Sequence, residues 1–95
     1  MQIERRTIES NLCSKGFVRE DSDHRYFYHE YRGKRTGAYT YTSHGSNYKT
    51  YDVTLLKRMK KLLRLDTTKQ VFDLCTCPIE KDDYNQILKN KFKMQ

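Results

Sequence analysis

Three histidines and a surplus of cations hold most of the chemistry this chain can offer. His24 opens a stretch rich in aromatic residues, His29 follows five residues later, and His44 sits beside Gly45. An imidazole titrates near pH 6.5, about neutral, so it can both take and give a proton. There are 19 Lys and Arg against 12 Asp and Glu, a net charge of +7. A positive field of that size draws polyanions, of which nucleic acid is the commonest. RNA brings its own nucleophile, the 2′-hydroxyl. Cleaving it takes a base for that proton, an acid for the leaving 5′-oxygen, and cations for the charge developing around phosphorus. From the residues alone His24 reads as a half-exposed strand histidine satisfied by a neighbour, or as the candidate base. His44 is a candidate acid or phosphate contact, with a loop-bracing role left equally open. His29 falls on the opposite strand face if alternation is strict, and reads as structural.

The cations cluster. Lys57, Arg58, Lys60, Lys61 and Arg64 form a run with no carboxylate in it. They either grip phosphates, which would make affinity fall steeply with salt, or simply cover a solvated helix face. Arg32, Lys34 and Arg35 stand at a predicted hairpin tip and could reach RNA or keep the turn soluble. Tyr26, Tyr28, Tyr31, Tyr39 and Tyr41 serve the core or stack unpaired bases, and alternation alone does not sort them. Cys75-Thr76-Cys77 has a one-residue gap and no second pair, so no metal site is expected, and the thiols read as reduced and buried. No Walker loop, GxGxxG, GxSxG or HExxH occurs, and no cofactor is expected. Asp82-Asp83 suits a helix N-terminus rather than a catalytic dyad.

The elements that must position these residues follow from apolar spacing. Residues 4–15 read as a helix stopped by Gly16. Strands are expected over 17–20, 24–32 and 36–43, with turns at 21–23 and 32–35. Asp52 caps a helix to about Leu65, with Leu55, Leu56, Met59, Leu62 and Leu63 on one face. Asp66-Thr67-Thr68 caps a short helix carrying Val71, Phe72 and Leu74. Ile79 and Tyr84 are spaced like a hydrophobic staple around the start of a last helix. The fold class is therefore α+β: an α-β-β-β-α unit over 1–65, with its helices on one face of a three-stranded sheet, and a two-helix extension over 66–95 packed on the same domain. No stretch is long enough to span a bilayer and no signal peptide opens the chain, so a cytoplasmic protein without a membrane partner is expected.

That order resembles the double-stranded-RNA-binding fold, and local motifs bring it close to the HicA toxins. The opening helix ends in Lys15-Gly16-Phe17. A polar turn precedes a histidine, Asp21-Ser22-Asp23-His24, where the family usually has Gly-Ser-x-His, so Asp21 replaces the motif glycine. Ser43-His44-Gly45 follows the third strand, and a helix with Leu55, Met59 and Lys60 comes next. The likeness covers about residues 4–65 and extends to Asp73-Leu74 and Cys77-Pro78 of a longer branch of the family. It implies a metal-independent endoribonuclease that cleaves messenger RNA with a histidine, the toxin of a type II toxin–antitoxin system, whose active face is covered by a HicB-type antitoxin. The competing readings are a non-catalytic RNA-binding module of the same fold and a phage-type inhibitor that docks a protein on its open sheet.

Overall fold

Gly16 ends the first helix as expected. It takes φ +94°, a left-handed conformation that side chains resist, and turns the chain straight into a strand. The computed structural model describes residues 2–43, 49–76 and 78–92. In chain order its elements are β1 (Ile3–Glu4), α1 (Arg5–Ser14), β2 (Phe17–Asp21), β3 (Arg25–Tyr31), β4 (Lys34–Thr42), β5 (Thr50–Tyr51), α2 (Val53–Leu62), α3 (Thr68–Leu74) and α4 (Lys81–Phe92). The fold is α+β. Strands β2, β3 and β4 form an antiparallel sheet in that order, and β1 pairs with β5 as a separate two-stranded ribbon. That ribbon was not expected. Two residues per strand are too few to leave a period in the sequence, and only the pairing of Ile3 with Tyr51 reveals it.

β3 and β4 join through a two-residue turn. Arg32 (φ 51°) and Gly33 (φ 79°) both lie in the left-handed region, as the tightest hairpin turns require. Pairing is regular from Arg25↔Thr42 to Tyr28↔Tyr39, then shifts between Tyr28 and Glu30. This register gives the sheet two distinct faces. Phe27, His29, Ala38, Thr40 and Thr42 are buried on the helix side. Tyr26, Tyr28, Tyr39 and Tyr41 share the other side, because Tyr26 pairs with Tyr41 and Tyr28 with Tyr39. Tyr31, beyond the shift, instead meets Lys89 of α4.

Apolar burial from every helix meets the inner sheet face in one core: Ile8 and Leu12 of α1, Leu56 and Met59 of α2, Val71 and Leu74 of α3, Tyr84 and Leu88 of α4. The last two helices are therefore part of the same body, and the radius of gyration, 12.4 Å, is that of one compact unit of this length, about 12 Å. Caps fix the helix starts. Asp52 accepts from the Leu55 N–H, and Thr67 with Gln70 makes a full capping box. Polar ties lock the ends together. The buried Lys15 ammonium donates to the carbonyls of Leu74 (2.8 Å) and Thr76 (2.7 Å), a cation at the C-terminus of α3. The Tyr84 hydroxyl donates to the Leu63 carbonyl at 2.7 Å, and burial pushes its pKa well up.

The cysteines divide. Cys75 is buried, its thiol pushed up to about 12 by burial, whereas Cys13 is exposed, contrary to the expectation of buried thiols. Cys77 lies outside the described residues. Among the described residues no helix is long and apolar enough to cross a membrane.

Candidate functional site

The turn that carries His24 is held from both sides. β2 ends at Asp21, whose carboxylate accepts two bonds from the Arg19 guanidinium, at 2.8 and 3.0 Å. The Ser22 N–H donates to the His24 carbonyl at 2.9 Å and closes the bend. His24 was expected to open the strand, but β3 starts one residue later and the imidazole stands on the bend itself. Neither Asp21 nor His24 takes a positive φ. Among the described non-glycine residues only Arg32 and Arg64 do, so the backbone of this turn calls for no glycine at Asp21.

Arg25, the next residue, anchors the turn to the core. Its Nη1 donates to both carboxylate oxygens of Glu9 on α1, at 3.0 Å each, and the Thr42 hydroxyl donates to the same carboxylate at 2.7 Å. Glu9 is thus a buried acid fully paired across three elements, the condition under which a buried charge is tolerated. The start of β3, and with it His24, is pinned to α1.

The His24 side chain is 43% exposed. Its ring stacks on Tyr41, with centroids 5.0 Å apart and planes 24° from parallel, and meets Tyr26 edge-on at 6.1 Å. Its Nε2 lies 4.0 Å from the Asp23 carboxylate, an ion pair only when the ring is protonated. The Ser22 hydroxyl, donating at 3.0 Å, holds that carboxylate below the usual range, with the Tyr26 hydroxyl and His24 adding to it. A charged Asp23 therefore stands ready to stabilise an imidazolium once His24 has taken a proton.

His24 and Tyr41 form one wall of a cleft of about 270 Å³ between the edge of β4 and α2. Leu55, Met59 and Leu62 of α2 form the opposite wall. Arg58 also lines it, so one cation of the predicted run shares the cleft with the histidine. The others are not among the cleft-lining residues: Lys57, Lys61 and Arg64 are exposed and Lys60 is half-buried. Helix period separates them, because Arg58 is three residues from Leu55 and four from Leu62, on the cleft side.

From Tyr41 an aromatic row runs across the outer sheet face. Tyr41 to Tyr26 is 5.8 Å, Tyr26 to Tyr28 5.8 Å and Tyr28 to Tyr39 5.9 Å. The Arg35 guanidinium lies 4.0 Å over Tyr28 and pairs with Glu20. The sequence named these tyrosines without sorting them; register sorts them. Arg32, Lys34 and Arg35 stand at the far end of β3, roughly 20 Å along the strand from His24 at ~3.3 Å per residue, so they are not part of the histidine's surroundings. Arg32 instead lies 5.1 Å over Tyr31. His44 lies outside the described residues. His29 is fully buried on the inner face, its ring nitrogens 2.9 Å from Thr36 Oγ1 and from Asn85 Oδ1, a packing role.

Comparison with protein-family models, with curated proteins and with solved structures finds no match to this chain.

Proposed function

We propose that this chain is an RNA-directed endoribonuclease of the HicA toxin type, with His24 as the base that deprotonates a ribose 2′-hydroxyl. The observation that carries the reading is the half-exposed His24 ring in the wall of a cleft that Arg58 also lines. His24 takes the 2′-proton. Asp23 supports the imidazolium that results, and Arg58 offsets charge developing on the phosphoryl oxygens. The 2′-oxygen attacks phosphorus as the P–O5′ bond breaks, giving a 2′,3′-cyclic phosphate, and the departing 5′-oxygen takes a proton from solvent to leave as a 5′-hydroxyl. No metal enters the scheme. The likeness to HicA toxins suggests the rest of the setting: messenger RNA as substrate, the cytoplasm as its place, and a HicB-type antitoxin as the partner that covers the site.

The tyrosine row favours a second reading, a single-stranded RNA-binding module that does not cleave, since base stacking alone needs no catalytic histidine. Induced expression in bacteria separates the two. The nuclease reading expects growth arrest that His24→Ala relieves and a co-expressed antitoxin prevents. Arrest that persists with the folded His24→Ala chain removes the catalytic role.

A further inference from the structure

Three threonines point inward from β4, and two have clear structural duties. Thr36 Oγ1 lies 2.9 Å from His29 Nδ1, and the Thr42 hydroxyl donates to Glu9. Thr40 differs. It is fully buried, yet its hydroxyl has no hydrogen-bond partner among the described residues. Folded proteins rarely leave a buried polar atom unpaired, and those that remain call for a specific explanation. Thr40 is also one of the residues that line the cleft beside His24.

We infer that this cleft receives a single unstacked base of single-stranded RNA, whose polar edge supplies the missing partner of the Thr40 hydroxyl. The inference rests on the RNA-directed reading and names the form of RNA that it takes. Size supports it. At about 270 Å³ the cleft falls just below the range of about 300–1,000 Å³ typical of pockets that enclose drug-sized ligands, so one flat heterocycle suits it better than a larger molecule. Wall chemistry agrees. The stacked His24–Tyr41 pair faces the apolar side chains of Leu55, Met59 and Leu62, a slot for a ring with apolar faces and a polar rim. Arg58 gives the same cleft a cation for the phosphate attached to that base. A side chain from a protein partner could fill an apolar slot, but it would not use Arg58 or the net charge of +7 in the same way. Bases paired and stacked inside a duplex cannot enter, so the occupant comes from a loop or an unpaired strand. The neighbouring nucleotides then meet the tyrosine row that starts at Tyr41.

A hydroxyl can donate one hydrogen bond and accept up to two, so it meets several base edges and base preference is expected to be modest, about fivefold. The test uses the full chain and short fluorescent 2′-O-methyl oligoribonucleotides of uniform base, which lack the nucleophile and stay intact. Affinities are read by anisotropy. The wild type is expected to prefer one base about fivefold over the poorest. Thr40→Val keeps the shape and removes the orphan hydroxyl. It should abolish the preference and fold at least as stably. Leu62→Phe, which fills the slot, should also abolish it. Equal affinity for all bases in the wild type, or a preference intact in folded Thr40→Val, overturns the inference. RNA binding and preference untouched by Leu62→Phe also overturn it. Cleavage of native RNA is measured apart. A Thr40-dependent preference without cleavage keeps this inference and removes the nuclease reading, and cleavage without preference does the reverse.

Discussion

Replacing Arg25 with Met tests how firmly the histidine turn is anchored. The change keeps most of the aliphatic stem and removes the guanidinium that gives Glu9 two bonds at 3.0 Å. Glu9 then keeps only the Thr42 hydroxyl among its side-chain partners described above, with a side chain just 11% exposed. Stranding one member of a buried pair costs about 3–5 kcal/mol. The Arg25 side chain is 24% exposed, so water can partly reach the vacated space and the lower end, about 3 kcal/mol, applies. A chain of this length has about 5–14 kcal/mol in all, at ~0.05–0.15 per residue. The midpoint of thermal unfolding, followed by circular dichroism, should fall by about 12–24 °C. Adding Glu9→Gln removes the stranded charge and should recover a large part of the loss. A loss under about 1 kcal/mol, the scale of an exposed pair, or a double variant no better than Arg25→Met alone, would refute this account of the anchor.

Two further outcomes are expected. Burial, with a smaller push from Lys81, holds the His29 pKa below its ordinary 6.5 against the Asn85 bond that raises it. The unfolded chain therefore takes up that proton first, and stability falls as pH drops below 6.5, by at most about 1.4 kcal/mol per pH unit, levelling off below the folded pKa. Urea midpoints measured from neutrality down to about pH 5 should show this slope in the wild type and lose it in His29→Gln; identical slopes count against it. Tyr28→Ala removes the ring between Tyr26 and Tyr39 and beneath Arg35, and should weaken single-stranded RNA binding by about tenfold, within the ~1–3 kcal/mol of one stacked base. Unchanged affinity for a long unpaired RNA would show that the row does not bind bases.

The helices and the three main strands were legible because their signals are local. Gly16 stops α1, Asp52 and Thr67 cap the next two helices, and Ile79 with Tyr84 marks the start of α4. What depends on register was not legible. Tyr26 and Tyr28 are even-numbered and Tyr39 and Tyr41 odd, so only the pairing across the hairpin shows them to be neighbours, and only the shift after Tyr28 sends Tyr31 elsewhere. The cation run looked uniform in sequence. Packing of Leu55, Met59 and Leu62 decides that Arg58 shares the cleft with His24, whereas Lys60 does not line it. That the Thr40 hydroxyl has no partner among the described residues, while those of Thr36 and Thr42 are bonded, shows only in the packed structure.

The most direct test of the central claim is the chemistry of the cut ends. Purified protein is incubated with single-stranded RNA in the presence of a chelator, beside His24→Ala of matched stability. Fragments ending in 2′,3′-cyclic phosphate with new 5′-hydroxyls are expected from the wild type and absent with His24→Ala. Intact RNA with the wild type, or equal cleavage by the variant, would contradict it.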